Sequence, residues 1–414
     1  MNRQPIGRPP KWWAPQLSPR LVRWSRGWRR RQLHGKQRIA GVETQGGEIL
    51  TRTLAEGCGV LLTPNHSTHY DSAALYLSAD ALNVPLYFMA AWQVFAMSTP
   101  FEQWLMQRLG TFSIDRDSND RQAYKQGVEI LRESPYPLVI FPEGEIYHVS
   151  DRVTPFREGA AAIALAAAKK AERPVVVVPC GIKFWYLHDP SEELIEMLRR
   201  LEEQILLRPA PQLSLPERIH RVAEGLLALK ELDFLGHTRS GRIRDRLIYL
   251  QDAVLTRLEQ KLDLKTTPGT APQRVKAIRQ TVIRELDPGE AEEQAGPPSA
   301  ERLELLHSAL EDVFFVIQLF SYPGDYLLNG PTIERLAETV DKMEEDVFQQ
   351  DYPSVRGRRQ VVIRYGEPIR LPSGEQRSRT GIADLTLEMQ HRVQQLIDGL
   401  NAETCPRASA NGSA

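Results

Sequence analysis

Residues 137–179 read PLVIFPEGEIYHVSDRVTPFREGAAAIALAAAKKAERPVVVVP. Pro137 to Phe141 is a short apolar run, Val175 to Pro179 is a second, and between them Gly159 to Lys169 is an alanine-rich helical pattern suited to close packing. The valine run has no period-two alternation, so it predicts a strand buried on both faces, as in a sheet covered by helices on each side. Working outward, further strands are expected at Gly59 to Thr63, Pro85 to Met89 and Thr111 to Ile114, with helices at Ser72 to Leu77, Gln93 to Arg108 and Asp120 to Glu133. Strands and helices alternating at this length predict an α/β class with a mixed, largely parallel sheet flanked by helices.

The pattern changes from about Leu187. Ile243, Leu247, Leu250, Val254, Leu258 and Leu262 keep helical spacing, as do Leu303, Leu306, Leu310 and Val313, and Thr332 to Gln350 is a further helix. Pro288 to Ala300 has the composition of a flexible linker. A strand returns at Gln360 to Tyr365, followed by Gly366-Glu367-Pro368-Ile369 and a helix that turns Leu385, Met389, Val393 and Leu400 inward. A large helical block is thus inserted before the last strand, and no internal repeat is visible. The expected organisation is an arm at 1–40, an α/β domain at 41–187 and 358–400, a helical insertion at 188–357 and a disordered tail at 401–414.

Composition narrows the function classes. Of 414 residues 42% are hydrophobic and 25% charged, which describes a folded protein rather than a disordered or fibrous one. Three cysteines, Cys58, Cys180 and Cys405, are too few and too far apart for a disulfide framework or a cysteine-based zinc site. No run approaches the roughly 18 apolar residues of a membrane span. The net charge of -1 conceals an asymmetry, because the first 42 residues hold eleven basic and no acidic side chains. Four of the seven tryptophans, Trp12, Trp13, Trp24 and Trp28, lie in the same stretch.

Ser18-Pro19 has the form of a helix start, and beyond it Leu21, Trp24 and Trp28 share one face among Arg20, Arg23, Arg26 and Arg30. Such a helix is suited to an anionic membrane surface, with tryptophan at the headgroup level. A flap docked on the acidic body is the alternative. Nucleic acid is not expected as a partner, since that body repels phosphate backbones.

Three segments stand where strands end, which is where open α/β sheets build their sites. In Asn65-His66-Ser67-Thr68-His69-Tyr70-Asp71, the His66 and Asp71 side chains are spaced to form an imidazole–carboxylate pair with one ring nitrogen left as a base. Asp71 is also placed to cap the helix that follows. Gly110-Thr111-Phe112-Ser113-Ile114-Asp115-Arg116 ends in an arginine suited to bidentate phosphate recognition. Phe141-Pro142-Glu143-Gly144-Glu145 places a carboxylate and a glycine directly after a strand, and the plainer reading of Glu143 is a structural carboxylate accepting turn amides. His69 with His66 and Asp71 is an alternative metal-ligand set for a hydrolase.

The Asn-His-x4-Asp turn, the Gly-x-x-Phe-x-x-Arg segment, Phe-Pro-Glu-Gly and the Val-Val-x-Pro strand, in this order, resemble the glycerophosphate and lysophosphatidate acyltransferase superfamily. The late Gly-Glu-Pro-Ile also fits. The resemblance covers roughly residues 40–187 and 358–400. It implies transfer of an acyl group from acyl-CoA or acyl-carrier protein to a hydroxyl of a glycerophosphate or lysophospholipid acceptor. It further implies His66 as general base, Asp71 as its orienting partner, Arg116 as phosphate ligand, and Glu143 with Gly144 in the acceptor site.

Such chemistry needs no metal and no cofactor beyond the thioester, because a thioester is already activated. The enzyme is expected to be cytoplasmic and peripheral (monotopic), on the inner face of the membrane, with an anionic membrane surface, the lipid acceptor and acyl-carrier protein as candidate partners. One departure stands out: Glu145-Ile146-Tyr147 follow the glycine where the family usually has Thr and then Arg or Ser. Arg152, Arg157 and Lys183 are the candidate substitutes for phosphate binding, and a non-phosphorylated hydroxyl or amine acceptor is the alternative.

Overall fold

The computed structural model describes residues 10–116, 120–264, 269–286, 299–328, 330–372 and 381–403. Most of the linker expected at 288–300 and of the tail expected at 401–414 lies outside them. The described residues fall into two compact units, one of 10–116, 120–190 and 355–403, the other of 191–354.

The first unit is built on an eight-stranded mixed sheet. In chain order it runs α1 (Pro19–Trp24), α2 (Arg26–Gln37), β1 (Ile39–Gln45), α3 (Gly47–Ala55), β2 (Gly59–Pro64), α4 (Asp71–Ala81), β3 (Tyr87–Ala91), α5 (Trp92–Ala96), α6 (Pro100–Arg108), β4 (Thr111–Ile114), α7 (Arg121–Glu133), β5 (Leu138–Val139), α8 (Gly159–Lys170) and β6 (Val175–Tyr186). After the second unit it resumes with β7 (Arg359–Tyr365), β8 (Ile369–Arg370) and α15 (Ile382–Ala402). The strand order is β1-β7-β6-β2-β5-β3-β4, with β8 also on β6. All neighbours are parallel except β6 with β7 and with β8.

The missing alternation in the valine run has its cause in two separate cores. Val176 and Val178 pack with Val60, Leu62, Leu75 and Ala79 on one face, while Val175 and Val177 pack with Leu61, Ala164, Met389 and Val393 on the other. Both faces being apolar, successive residues alternate between cores and not between core and water. At the start of β2 only glycine fits, because a Cβ at Gly59 would lie 1.8 Å from the Leu131 carbonyl oxygen.

Several expectations are revised. The strand expected to end at Pro179 continues to Tyr186, because β6 changes partner there from β8 to β7. The single helix expected over 93–108 is two, interrupted where Thr99 caps α6 in a reciprocal bond pair with Glu102 and Pro100 takes the first position. Strand β1, absent from the sequence reading, is mostly half-buried and lacks an apolar run, and its identity depends on parallel pairing with β7.

The arm packs onto this unit. Trp13 and Ser113 bond reciprocally, main chain to carbonyl and hydroxyl, which lays residues 11–13 along the β4 edge of the sheet. Trp12 meets Phe112 edge-on and Trp13 stacks on Phe95 at 5.1 Å. Ser18 caps α1 through Leu21 N. The buried face is not the tryptophan face but Val22, Ser25, Arg29 and Leu33. Arg29 donates to both oxygens of Asp80 at 2.6 Å and lies over the Tyr76 ring. Trp24 and Trp28 remain exposed, at 85% and 51%.

The second unit interrupts a hairpin. Tyr186 stands opposite Arg359 and Leu187 N donates to Arg358 O at 2.8 Å, so the chain leaves and returns at adjacent backbone positions. A closed pair of ends tolerates a long insertion, since closure entropy grows only logarithmically with length.

The unit comprises α9 (Ser191–Gln204), α10 (Leu215–Leu235), α11 (Ile243–Lys261), α12 (Ala271–Leu286), α13 (Ala300–Gln318) and α14 (Ile333–Phe348). Here the structure corrects the reading that no repeat is present. Arg218, Arg246, Arg274 and Arg302 recur every 28 residues, each followed by an aliphatic residue (Ile219, Leu247, Val275, Leu303). Four residues after each arginine stands a fully buried one, Val222, Leu250, Ile278 or Leu306. Each arginine grips a glutamate near the end of the preceding helix: Glu202, Glu231, Glu259 and Glu285 in turn, with paired distances between 2.7 and 3.2 Å. The repeat escaped the sequence reading because it consists of one arginine and a few aliphatic positions per helix, with different residues between.

Three of these clasps are buried, so removing one partner strands a charge. Arg246→Ala, which leaves the buried Glu231 without its guanidinium partner and with the Arg239 amide as its remaining donor, is expected to destabilise this unit by about 3–5 kcal/mol. Urea unfolding followed by circular dichroism checks it, and Arg246→Ala/Glu231→Ala should recover part of the loss.

Candidate active site

The turn after β2 is shaped by two side chains. Asn65 both donates to Ile182 O and accepts from Ile182 N, which staples the turn to β6. Asp71, with no exposed surface, opens α4 and turns its carboxylate back over the loop. Its Oδ2 accepts from Ser67 N at 2.6 Å and Thr68 N at 2.9 Å, and lies 2.9 Å from His66 Nδ1.

A carboxylate at that distance assigns the proton to Nδ1, so the lone pair of the His66 ring is on Nε2. The ring stacks on Phe141 at 4.1 Å and is 19% exposed. Among the described residues Nε2 has no hydrogen-bond partner, and it is the atom open to a substrate proton.

Glu143 lies beneath this pair. Its Oε1 accepts from His66 N at 2.7 Å, while Oε2 accepts from Thr154 N and the Thr154 hydroxyl. Both oxygens are taken by protein donors, so Glu143 holds the histidine's backbone and the loop in register. Burial pushes its carboxyl up to about 8, against the pull of the Thr154 and His66 hydrogen bonds.

Gly144 has φ +77°, and a Cβ there would stand 2.5 Å from Arg157 Nε. Its carbonyl accepts from Arg116 Nη1. Arg116 is also 2.9 Å from Glu145, and Arg157 is 3.8 Å from the same carboxylate oxygen. The fold therefore gathers Arg116, Gly144, Glu145 and Arg157 beside Glu143, with Arg116 already engaged by a carboxylate.

Of the other substitutes, Arg152 is exposed. Lys183 is not a surface cation past a strand end: it lies within β6, buried, paired with Asp151, bonded to Ser150 and over the Trp185 ring at 4.9 Å. It anchors the 145–158 loop, and reading the strand as ending at Pro179 hid this.

The same loop is fastened to α15. Gln394 accepts from Val153 N and donates to Asp151 O, and Gln390 accepts from Phe156 N. Thr154, Gln390 and Gln394 were missed by sequence reasoning. The only signal was two glutamines one helical turn apart, without meaning until the loop is seen to cross them. Among the described residues His66, His69 and Asp71 do not bring three ligand atoms together; the His69 ring lies against His148 at 5.7 Å.

Residues 41–183 match the family model described as Acyltransferase. A search of curated proteins finds no match.

The buried Glu143 gives the fold a pH signature. Its folded-state pKa near 8 exceeds the ordinary value of 4.5, so its contribution to stability is complete below about pH 4.5 and is lost as pH rises through about 8. Urea unfolding across that range should show the wild-type protein losing stability relative to Glu143→Gln, whose amide does not titrate. Parallel curves would refute the assignment.

Proposed function

We propose that the protein transfers a fatty acyl group from a thioester, acyl-CoA or acyl-carrier protein, to a hydroxyl of a glycerolipid precursor, with His66 as general base; the match of residues 41–183 to the Acyltransferase family model supports this reading. The acceptor class implied by the family is a glycerophosphate or lysophospholipid. The observation that carries the reading is the His66–Asp71 pair: Nδ1 on a fully buried carboxylate, and Nε2 without a hydrogen-bond partner among the described residues.

The step balances without further reagents. His66 Nε2 takes the acceptor hydroxyl proton as the oxygen attacks the thioester carbonyl and the C–O bond forms. The tetrahedral intermediate then collapses, the C–S bond breaks, and the departing thiolate takes the proton from the imidazolium. Asp71 supports the imidazolium between these events, and Glu143 fixes the main chain from which the ring extends.

His66→Ala is expected to lower turnover by about 100-fold to 10,000-fold at an unchanged melting temperature, because the ring lies at the surface of a turn and not in a core. Asp71→Asn should lower turnover too and also reduce stability, since two backbone amides lose a charged acceptor. Assays with labelled acyl-CoA and acyl-carrier protein check both. Normal turnover by His66→Ala would remove the mechanism.

The location proposed is peripheral, on the cytoplasmic face of a membrane. Among the described residues no helix is long and apolar enough to cross one. Support comes from Trp24 and Trp28, exposed among exposed Arg20, Arg23, Arg30 and Arg31 on helices whose other face is docked. Because the arm also covers a sheet edge, point variants test this better than truncation. Trp24→Ala/Trp28→Ala should reduce the salt-resistant binding to anionic phospholipid vesicles, and the remaining binding should fall as salt rises. Equal vesicle partitioning by the variant and the wild type would exclude the arm as anchor.

A further inference from the structure

We propose that the acceptor carries no phosphate monoester, and that Glu145 is the side chain that turns such acceptors away. The inference rests on the acyl-transfer reading above and replaces the phosphate-bearing acceptor that the family implies with an uncharged lipid alcohol.

Glu145 stands two residues beyond Glu143, the carboxyl that bonds the His66 amide, and both carboxylates act on the same buried phenol, Tyr147. Its carboxylate is 2.9 Å from Arg116 and 3.8 Å from Arg157. Arg116 and Glu145 are 18% and 14% exposed, so their pairing is poorly screened by solvent. Arg116 spends a further donor on the Gly144 carbonyl. Tyr147, buried close by, has its phenol pushed above the ordinary range by burial and then by Glu145, so it stays neutral there.

The cluster Arg116, Arg157 and Glu145 therefore carries one net positive charge instead of two, and the more buried of its cations is already engaged. A phosphate monoester, with a charge near -2 at neutral pH, must part Arg116 from Glu145 and then sit beside the released carboxylate. The like charges repel in a site where water screens them little. An uncharged alcohol meets no such repulsion, and its hydroxyls find an acceptor in Glu145. An internal carboxylate thus occupies the cations that an external phosphate would use.

The test compares acceptors that differ only in the phosphate, monooleoylglycerol and oleoyl-glycerol 3-phosphate, with oleoyl-CoA as donor. The wild-type protein should have the higher kcat/KM for the uncharged lipid. Glu145→Gln should raise the ratio of phosphorylated to uncharged kcat/KM at least tenfold, and Arg116→Ala in that background should abolish the gain. A wild-type preference for the phosphorylated lipid, or a ratio unmoved by E145Q, overturns the proposal.

Calorimetric titration with inorganic phosphate reads the same site without turnover. E145Q should bind it at least tenfold more tightly than the wild type, and equal affinity overturns the proposal. If neither lipid is acylated by the wild type, the acyl-transfer reading fails while the phosphate titration still decides the role of Glu145. Glu145→Thr, with its shorter side chain, repeats both measurements should the glutamine variant melt early.

Discussion

A single buried carboxylate organises the catalytic turn. Asp71 gathers the amides of Ser67 and Thr68 and the ring of His66 onto one oxygen, at the N-terminus of the helix it opens. Without that anion the turn has two unsatisfied buried amides, and the imidazole has nothing to fix its tautomer. A second carboxyl acts from below: Glu143 ties the His66 backbone to Thr154, and the loop carrying Thr154 is fastened by Lys183, Gln390 and Gln394. The base is thus held at its ring and at its main chain by groups from four regions of the sequence. An orientation fixed this way is what a proton transfer in the transition state requires.

Two kinds of buried charge serve different ends in this protein. Around the site, Glu143 and the Lys183–Asp151 pair position a loop, and Glu143 is held partly in its neutral form by burial. In the helical unit the Arg218, Arg246 and Arg274 clasps join successive helices and come with complete bidentate partners. Such pairs contribute little net stability against an apolar replacement, yet breaking one is costly, so they discriminate against alternative helix registers. Their 28-residue recurrence makes that unit a repetition of one helix-to-helix joint inside a fold that is otherwise not repetitive.

The sequence was most legible where one physical signal dominated. The valine run gave β6, the alanine-rich stretch gave α8, and the Ser18-Pro19 start gave α1. It was least legible where identity depends on a neighbour. β1 has no apolar run and exists by pairing with β7, and β5 is only Leu138 and Val139, set between Leu61–Leu62 of β2 and Tyr87–Phe88 of β3. The arm's tryptophan face was readable, whereas its docked face was not, since the buried Arg29 is paired with Asp80, which lies 51 residues away.

By itself the sequence determined the α/β class, the insertion before β7, the His66–Asp71 pairing and the acyltransferase resemblance, because each is carried by local periodicity or by residues in one short turn. Tertiary structure alone decided that Glu143 holds the His66 amide, that Lys183 is buried against Asp151, that Glu145 engages Arg116, and that four arginines clasp four preceding helices. The reason is one of range. A hydrogen bond acts over about 3 Å in space, and the partners here stand between 15 and 77 residues apart in the chain, farther than the few residues over which local periodicity carries a signal.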